Sequence, residues 1–340
     1  MKKIEEPKID SNLIDEVARG FQISQALFTG MKFCLFDRLK EEKTAIEITE
    51  EIQASPVIIE KLLNVLASLQ LISKKNKKYI NTEVAQTYLV KDSPFYQGNL
   101  LNLIAQGTNI WLNLDKALKG ENTPKRPNGQ REKVFDKSFI LAMAEGGIRG
   151  PLQKTIKAVS VHDVFNNAKN LLDIGGGHGL YAIGFAQQNP DLKVTVFDLP
   201  PVVEVAKDFI EQYGIHDRIN TQAGDYMKDD LGGKYDIIFA SDTFYQPKET
   251  LQSLLEKIYH SLNDNGFLIS KHWVVNEDRT EKPTAVFWDL WLSLLEHPHY
   301  IYSASEYTEL FKEHNLLITE IIDISTPPDP SVIILAKKEA

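Results

Sequence analysis

The chain has 340 residues, 43% apolar and 25% charged, a mix that fits a soluble globular protein with length enough for two domains. Lysine and arginine number 38 against 47 acidic residues, and the net charge of −9 argues against a nucleic-acid partner gripped through a broad basic face. No apolar run approaches the ~20 residues that span a bilayer, so no membrane partner is expected.

The opening Met1–Glu6 has no apolar stretch behind its lysines, and the one cysteine, Cys34, can build neither an internal disulfide nor, alone, a zinc site. A cytoplasmic protein without metal is expected. Leu13, Ile14, Val17, Phe21, Leu27 and Met31 then recur at helical steps. Thr44 with Glu47 three residues on fits a capping box, opening a short helix through Ile48 and Ile52. Ser55-Pro56 starts a strongly apolar helix that runs to about Leu69. Two β-prone pieces, Leu71-Ile72-Ser73 and Tyr79-Ile80, flank the basic turn Lys74–Lys78 and make a hairpin. Helix, helix, hairpin is the winged helix-turn-helix order. The helix at 56–69 offers Glu60, Lys61, Asn64 and Ser68 but no arginine, which favours a structural or dimerising role over reading DNA.

Residues 98–118 are expected as another apolar helix, carrying Trp111, and residues 119–131 as a polar, breaker-rich connection. Helical segments follow to about residue 160. The expected layout is a winged-helix domain at 1–115, a helical linker at 116–160 and a second domain at 161–340. That second domain alternates short apolar runs (170–174, 193–197, 217–221, 236–240, 265–270) with amphipathic helices, the texture of a mostly parallel sheet covered on both faces. The last two strand-like runs, Leu316–Ile322 and Ser331–Leu335, are joined by a proline-rich link too short for a helix, so they must be antiparallel neighbours.

The richest motif is Leu171-Leu172-Asp173-Ile174-Gly175-Gly176-Gly177-His178-Gly179. An apolar strand enters glycines and then a helix, leaving helix N–H groups facing a ligand. The dinucleotide fingerprint needs glycine at the first, third and sixth positions. Counted from Gly175 the sixth is Leu180, so that fingerprint fails. The spacing that fits is acid-x-Gly-x-Gly-x-Gly, through Asp173, Gly175, Gly177 and Gly179. The next strand ends at Asp198, about twenty residues on, where an acid can accept both hydroxyls of a ribose.

From the glycine loop onward the chain resembles the class I S-adenosylmethionine-dependent methyltransferases. The resemblance implies a Rossmann-like α/β sheet of seven strands with an antiparallel terminal hairpin, and S-adenosylmethionine as cofactor. It implies that Asp198 and Leu199 hold the ribose, that Gly224, Asp225 and Tyr226 bracket the adenine, and that Ser241 lies at the cofactor. With the N-terminal helices, Phe36-Asp37-Arg38-Leu39 and Asp198-Leu199-Pro200, residues 12–338 resemble small-molecule O-methyltransferases of the caffeic-acid and hydroxyindole type. That likeness implies a homodimer formed by the N-terminal domain and a small aromatic or conjugated acceptor, with Trp111, Met143, Phe287, Trp288 and Trp291 lining its pocket.

Many relatives carry a His-Asp pair after the fourth strand, the histidine serving as general base. Here that segment reads Ser241-Asp242-Thr243-Phe244-Tyr245-Gln246, with Tyr245 or its neighbour in the histidine's place. A phenol, with an ordinary pKa near ~10, is a poor base. Tyr245 and His272 are the candidate catalytic residues, His272 because it ends a strand where open α/β sheets meet their ligands. Methyl transfer to oxygen is the leading reading. Transfer to carbon, as in tetrapyrrole tailoring, and a cofactor-binding regulator without turnover remain the alternatives.

Overall fold

The computed structural model describes residues 4–121, 135–295 and 300–339. The chain divides into two compact units, Met1–Ala105 and Gln106–Ala340.

In the first unit, a helix at Asn12–Lys32 precedes β1 (Lys43–Thr44) and two helices, Ala45–Ile52 and Pro56–Ser68. The Thr44–Glu47 capping box forms in both directions, and Pro56 occupies the first helical position after Ser55. The hairpin pairs β2 (Ile72–Lys75) with β3 (Lys78–Asn81), and β1 joins β3 to make the sheet order β1-β3-β2. Its turn residues Asn76 and Lys77 both have positive φ, which matches the right-handed twist of a two-residue hairpin. Leu35, Phe36, Leu39, Ile48, Leu63, Leu66 and Tyr79 form the buried centre. Leu13, Ile14 and Val17, each 73% exposed, and the half-exposed Phe21 put an apolar face of the first helix outside that centre.

The second unit is built on a seven-stranded sheet. Its strands are β4 (Asn170–Ile174), β5 (Lys193–Asp198), β6 (Ile219–Ala223), β7 (Tyr235–Ser241), β8 (Leu262–Trp273), β9 (Leu316–Asp323) and β10 (Ser331–Lys338). The order is β6-β5-β4-β7-β8-β10-β9, parallel from β6 to β8, with β10 antiparallel to both neighbours. Successive residues of the central strands point to opposite faces, so both faces are apolar. Leu171, Val194 and Ile237 pack with helix Leu180–Gln188 on one side; Leu172, Ile238 and Leu268 pack with helices Lys248–Ser261 and Ala304–Lys312 on the other. Burying each such aliphatic side chain contributes roughly 1.5–3 kcal/mol. The strand order reverses direction at β4, opening a crevice at the carboxyl ends of β4 and β7 where open sheets bind ligands.

Two expectations are corrected. Residues 98–118 form three pieces, Gly98–Gln106, Thr108–Trp111 and Leu114–Leu118, broken beside Gly107 and Asn113, both weak helix formers. The unit boundary falls at 105/106, and the helices of 135–160 are no separate linker. Ala144, Leu152 and Val159 are packed into the core of the sheet, so burial ties them to the second unit. The proposed connection at 119–131 lies mostly outside the described residues.

Candidate active site

Each strand from β4 to β8 ends at the same edge of the sheet, and the site is assembled from those ends. At β4 the chain turns through Gly175, with φ of 65°. A Cβ there would lie 2.2 Å from the Thr243 methyl and 3.4 Å from the Tyr226 ring, so glycine alone lets the loop sit between the β6 and β7 tips. Gly177, with φ of 56°, has only the Gly175 carbonyl, at 4.0 Å, near the place where a Cβ would stand. Beneath the loop, Asp173 is buried and its Oδ2 has no hydrogen-bond partner among the described residues. Burial, and next the nearby Asp198 charge, push the Asp173 carboxyl up to about 8.

At the tip of β5, Asp198 accepts from the N–H of Gly177 at 2.9 Å and of Leu199 at 2.7 Å. These bonds fix the carboxylate against the glycine loop. The N–H of Gly224 donates to the Asp198 carbonyl at 2.9 Å, fastening the β6 tip beside it. Asp225 is mostly buried; its Oδ1 accepts from the N–H of Met227 and its Oδ2 lies 3.0 Å from Lys228 Nζ, so it also shapes the turn that carries Tyr226. Ser241 ends β7, its hydroxyl donating to Asp242 Oδ2 at 3.2 Å. The structure thus brings Asp173, Gly175, Gly177, Asp198, Leu199, Gly224, Asp225, Tyr226 and Ser241 to one edge of the sheet.

A glycine loop, a fixed acid 2.9 Å from the Gly177 N–H and an unpartnered buried carboxyl oxygen are a set suited to an adenosyl amino acid. The N–H groups of Gly175, Gly176, Gly177, Gly179 and Leu180 are donated within the protein, so the side chains carry the fit: Asp173 suits the amino-acid end, Asp198 the ribose, and Asp225 with Tyr226 the adenine.

His272 does not meet the expectation of a free base. It is 1% exposed, and its Nε2 accepts from the N–H groups of Thr243 at 3.0 Å and Phe244 at 2.9 Å. Nδ1 therefore carries the proton and faces Ser270 Oγ at 2.8 Å. Burial pulls this imidazole down to about 3. Nε2 holds the turn after β7 and Nδ1 is tied to Ser270 of its own strand, so both nitrogens are engaged and His272 is a packed structural residue. Tyr245 lies at that turn too. Its hydroxyl donates to Asp242 Oδ1 at 2.5 Å and accepts from the N–H of Trp273 at 3.0 Å. Burial, followed by the Asp242 charge, raises this phenol well above its ordinary range, so it serves as a neutral hydrogen-bonding group.

The aromatic side chains gather beside this turn. The Trp111 ring centre is 5.9 Å from that of Phe287 and 6.0 Å from that of Trp291, and Trp273 is 5.9 Å from Trp288. All four tryptophans of the chain are in these pairs. Helix Pro283–Leu294 supplies three of the rings, with Phe287 60% exposed, and packs through Trp288 and Trp291 on a cluster containing Tyr245. Met143 is half-buried, one helical turn from Gly147, which faces His178 of the glycine loop. His297 and His299, which follow the aromatic helix, lie outside the described residues.

Sequence reasoning missed a buried ionic group. Lys271 Nζ is 2.8 Å from Asp242 Oδ2 and 3.2 Å from Asp329 Oδ1, with Lys271 3% and Asp329 6% exposed. Burial pulls the ammonium down, and Asp242, Tyr181 and Asp329 outweigh it and hold the lysine above its ordinary value. The available signal was a lysine inside the apolar strand Phe267–Trp273.

A glycine loop at the end of a central parallel strand, a fixed acid at the next tip and a reversed last strand define a class I S-adenosylmethionine-dependent methyltransferase. Residues 129–315 match the O-methyltransferase domain family and residues 15–91 the O-methyltransferase dimerisation domain. The chain belongs to this O-methyltransferase family, an enzyme family with S-adenosylmethionine as methyl donor. It is 37% identical to an uncharacterised protein of Methanocaldococcus jannaschii over 78% of this chain and 71% of that protein. It is 29% identical to acetylserotonin O-methyltransferase of Macaca mulatta, over 78% of this chain and 81% of the relative. The fold matches the structure of human N-acetylserotonin methyltransferase in complex with S-adenosylmethionine, with a TM-score of 0.83, 23% identity, and 99% and 100% of the two chains covered.

Proposed function

We propose that this enzyme methylates a hydroxyl of a flat aromatic or conjugated small molecule, as a cytoplasmic homodimer. The observation that carries the acceptor class is the gathering of Trp111, Phe287 and Trp291 beside the turn after β7. Flat rings stack on such a wall at centroid distances of roughly 4.5–7 Å. The relatives named for N-acetylserotonin support the same class of acceptor.

Bound S-adenosylmethionine supplies a methyl group already activated on a sulfonium. The protein's task is then alignment and exclusion of water, and orientation alone can be worth ~7–11 kcal/mol. Asp198, fixed by two N–H groups, orients the ribose. The glycine loop and Thr243 set the depth of the donor, and the aromatic helix sets the plane of the acceptor.

The dimer reading rests on the dimerisation-domain match and on the apolar face of Leu13, Ile14, Val17 and Phe21. The winged-helix reading rests on the order of helices and hairpin in the first unit. Asn64, on the helix that would enter a DNA groove, instead accepts from Lys74 Nζ at 2.7 Å and from the Tyr79 hydroxyl at 2.9 Å. That favours a structural role for this helix.

The test is methyl transfer from labelled S-adenosylmethionine to a panel of naphthols, hydroxyindoles and phenols, read by mass spectrometry. Ether products on flat acceptors are expected. Trp291→Ala should raise KM for them while leaving S-adenosylhomocysteine affinity unchanged. Products on none of the panel would overturn the acceptor class.

A further inference from the structure

Resting on that reading, we propose that Asp242 is the catalytic residue of this site, accepting the hydrogen bond and then the proton of the acceptor's hydroxyl, with Lys271 and Tyr245 as its positioning residues. The argument is one of access and placement. Asp242 immediately follows β7, between Ser241 and Thr243, and the Thr243 methyl is packed on Gly175 of the cofactor loop. Three residues on, Tyr245 is embedded in the cluster that carries Trp273, Trp288 and Trp291. Asp242 therefore stands between the methyl donor's loop and the aromatic wall.

The groups around it are sealed off. Lys271, Asp329, Tyr245, His272, His178, Tyr181 and Tyr307 are all buried, whereas the Asp242 side chain is 37% exposed. Its carboxylate is the acidic group of this cluster that an acceptor can reach. It is also tightly aimed. Oδ2 is held by Lys271 at 2.8 Å and Ser241 Oγ at 3.2 Å, and Oδ1 by the Tyr245 hydroxyl at 2.5 Å. The backbone is fixed by the Asp242 N–H donating to the Lys271 carbonyl at 2.8 Å, with φ of 54°, a conformation uncommon for a residue other than glycine. The Trp273 N–H also donates to Oδ1, at 3.3 Å, so all four lone-pair sites are taken. The Ser241 hydroxyl is one of the two longest of these contacts and can rotate away, and the acceptor's hydroxyl takes its place on Oδ2.

Burial alone would raise this carboxyl, but the Lys271 charge, the neighbouring His272 and the hydrogen bonds from Lys271 and Tyr245 together outweigh it and keep Asp242 ionised. A weakly basic carboxylate is sufficient here. As the acceptor oxygen bonds to the methyl carbon it becomes cationic, and its proton becomes strongly acidic. The proton passes to Asp242, the carbon–sulfur bond breaks with its electrons remaining on sulfur, and the products are the methyl ether and S-adenosylhomocysteine. Asp242 then returns its proton to solvent through its exposed edge.

The experiment compares wild type and Asp242→Asn on 1-naphthol and on 4-nitrophenol, the second largely ionised at pH 8. A general base contributes roughly 10²–10⁴-fold, so the variant should lose at least about a hundredfold in kcat on 1-naphthol and less than about tenfold on 4-nitrophenol. S-adenosylhomocysteine affinity by calorimetry should stay unchanged. The wild-type kcat/KM on 1-naphthol provides a second measurement that needs no variant. It should be flat from about pH 8 to 5.5, because a carboxylate held low does not titrate there, while a histidine base would give a limb near ~6.5. Equal losses on both acceptors, full activity of Asp242→Asn, or a wild-type limb near that pH would each overturn the proposal. Failure of the wild type to methylate any aromatic hydroxyl would defeat the acceptor reading, and this proposal with it.

Discussion

The imidazole of His272 accepts hydrogen bonds from two consecutive backbone N–H groups, and the nearer, that of Phe244, is 2.9 Å away. A side chain at the end of β8 thereby shapes the turn that ends β7. This contact turns a candidate base into scaffold, and it has consequences for stability.

His272 and His178 are both buried and neutral, lowered chiefly by burial to about 3 and about 4. On unfolding each takes up a proton below its ordinary 6.5, so their contribution is complete above that pH and is lost as pH falls toward the folded values. Asp173 acts oppositely. Raised to about 8, it keeps a proton that the unfolded chain has released, and stability is lost as pH rises through that value. Two histidines outweigh one carboxyl on the acid side, giving a stability maximum near pH ~6.5 and a net loss of roughly 1.4 kcal/mol per pH unit below it. Urea unfolding at pH 5, 6.5 and 8 checks this. Asp173→Asn should move the maximum upward.

Tyr245→Phe deletes one hydroxyl and keeps the ring that packs on Trp273 and Trp291. It removes a bond to a charged carboxylate, worth ~1.5–3 kcal/mol. Turnover on 1-naphthol should fall by about ten- to a hundredfold, on the order of that energy, with unchanged S-adenosylhomocysteine affinity. Full turnover would show that Asp242 is held well enough by Lys271 and Ser241.

Asp198→Ala removes the carboxylate that Gly177 and Leu199 hold in place. Loss of charge-assisted bonds to two ribose hydroxyls should weaken S-adenosylhomocysteine binding tenfold or more, on the order of 1.5–3 kcal/mol. Calorimetry on the folded variant gives the answer; equal affinity would remove Asp198 from the cofactor site.

Val17→Glu together with Phe21→Glu places two charges on the exposed apolar face of helix Asn12–Lys32. Obligate interfaces of this kind bury roughly 2,000 Å² or more and tolerate unpaired charge poorly. Light scattering should report a dimer for the wild type at micromolar concentration and a monomer, or weakened dimer, for the variant. A wild-type monomer would contradict the dimer reading.

Local chemistry was enough for the sequence to determine the frame of this protein. The Thr44–Glu47 capping box, the Ser55-Pro56 helix start and the Asn76 turn depend on neighbours within a few residues, and each formed as read. The glycine loop and Asp198 were legible because a strand, a loop and a strand tip recur at fixed spacing. What only the tertiary structure decided is which polar groups meet. Lys271, Asp242 and Asp329 come from β8, the β7 turn and the β9–β10 link, and they converge because β8 lies between β7 and β10 in the sheet. The fate of His272 was decided in the same way. Its own strand places it at the sheet's edge, but its charge and its bonds depend on the Thr243 and Phe244 amides of the neighbouring turn. Spacing along a chain sets backbone conformation, whereas burial and protonation depend on packing between segments far apart in sequence.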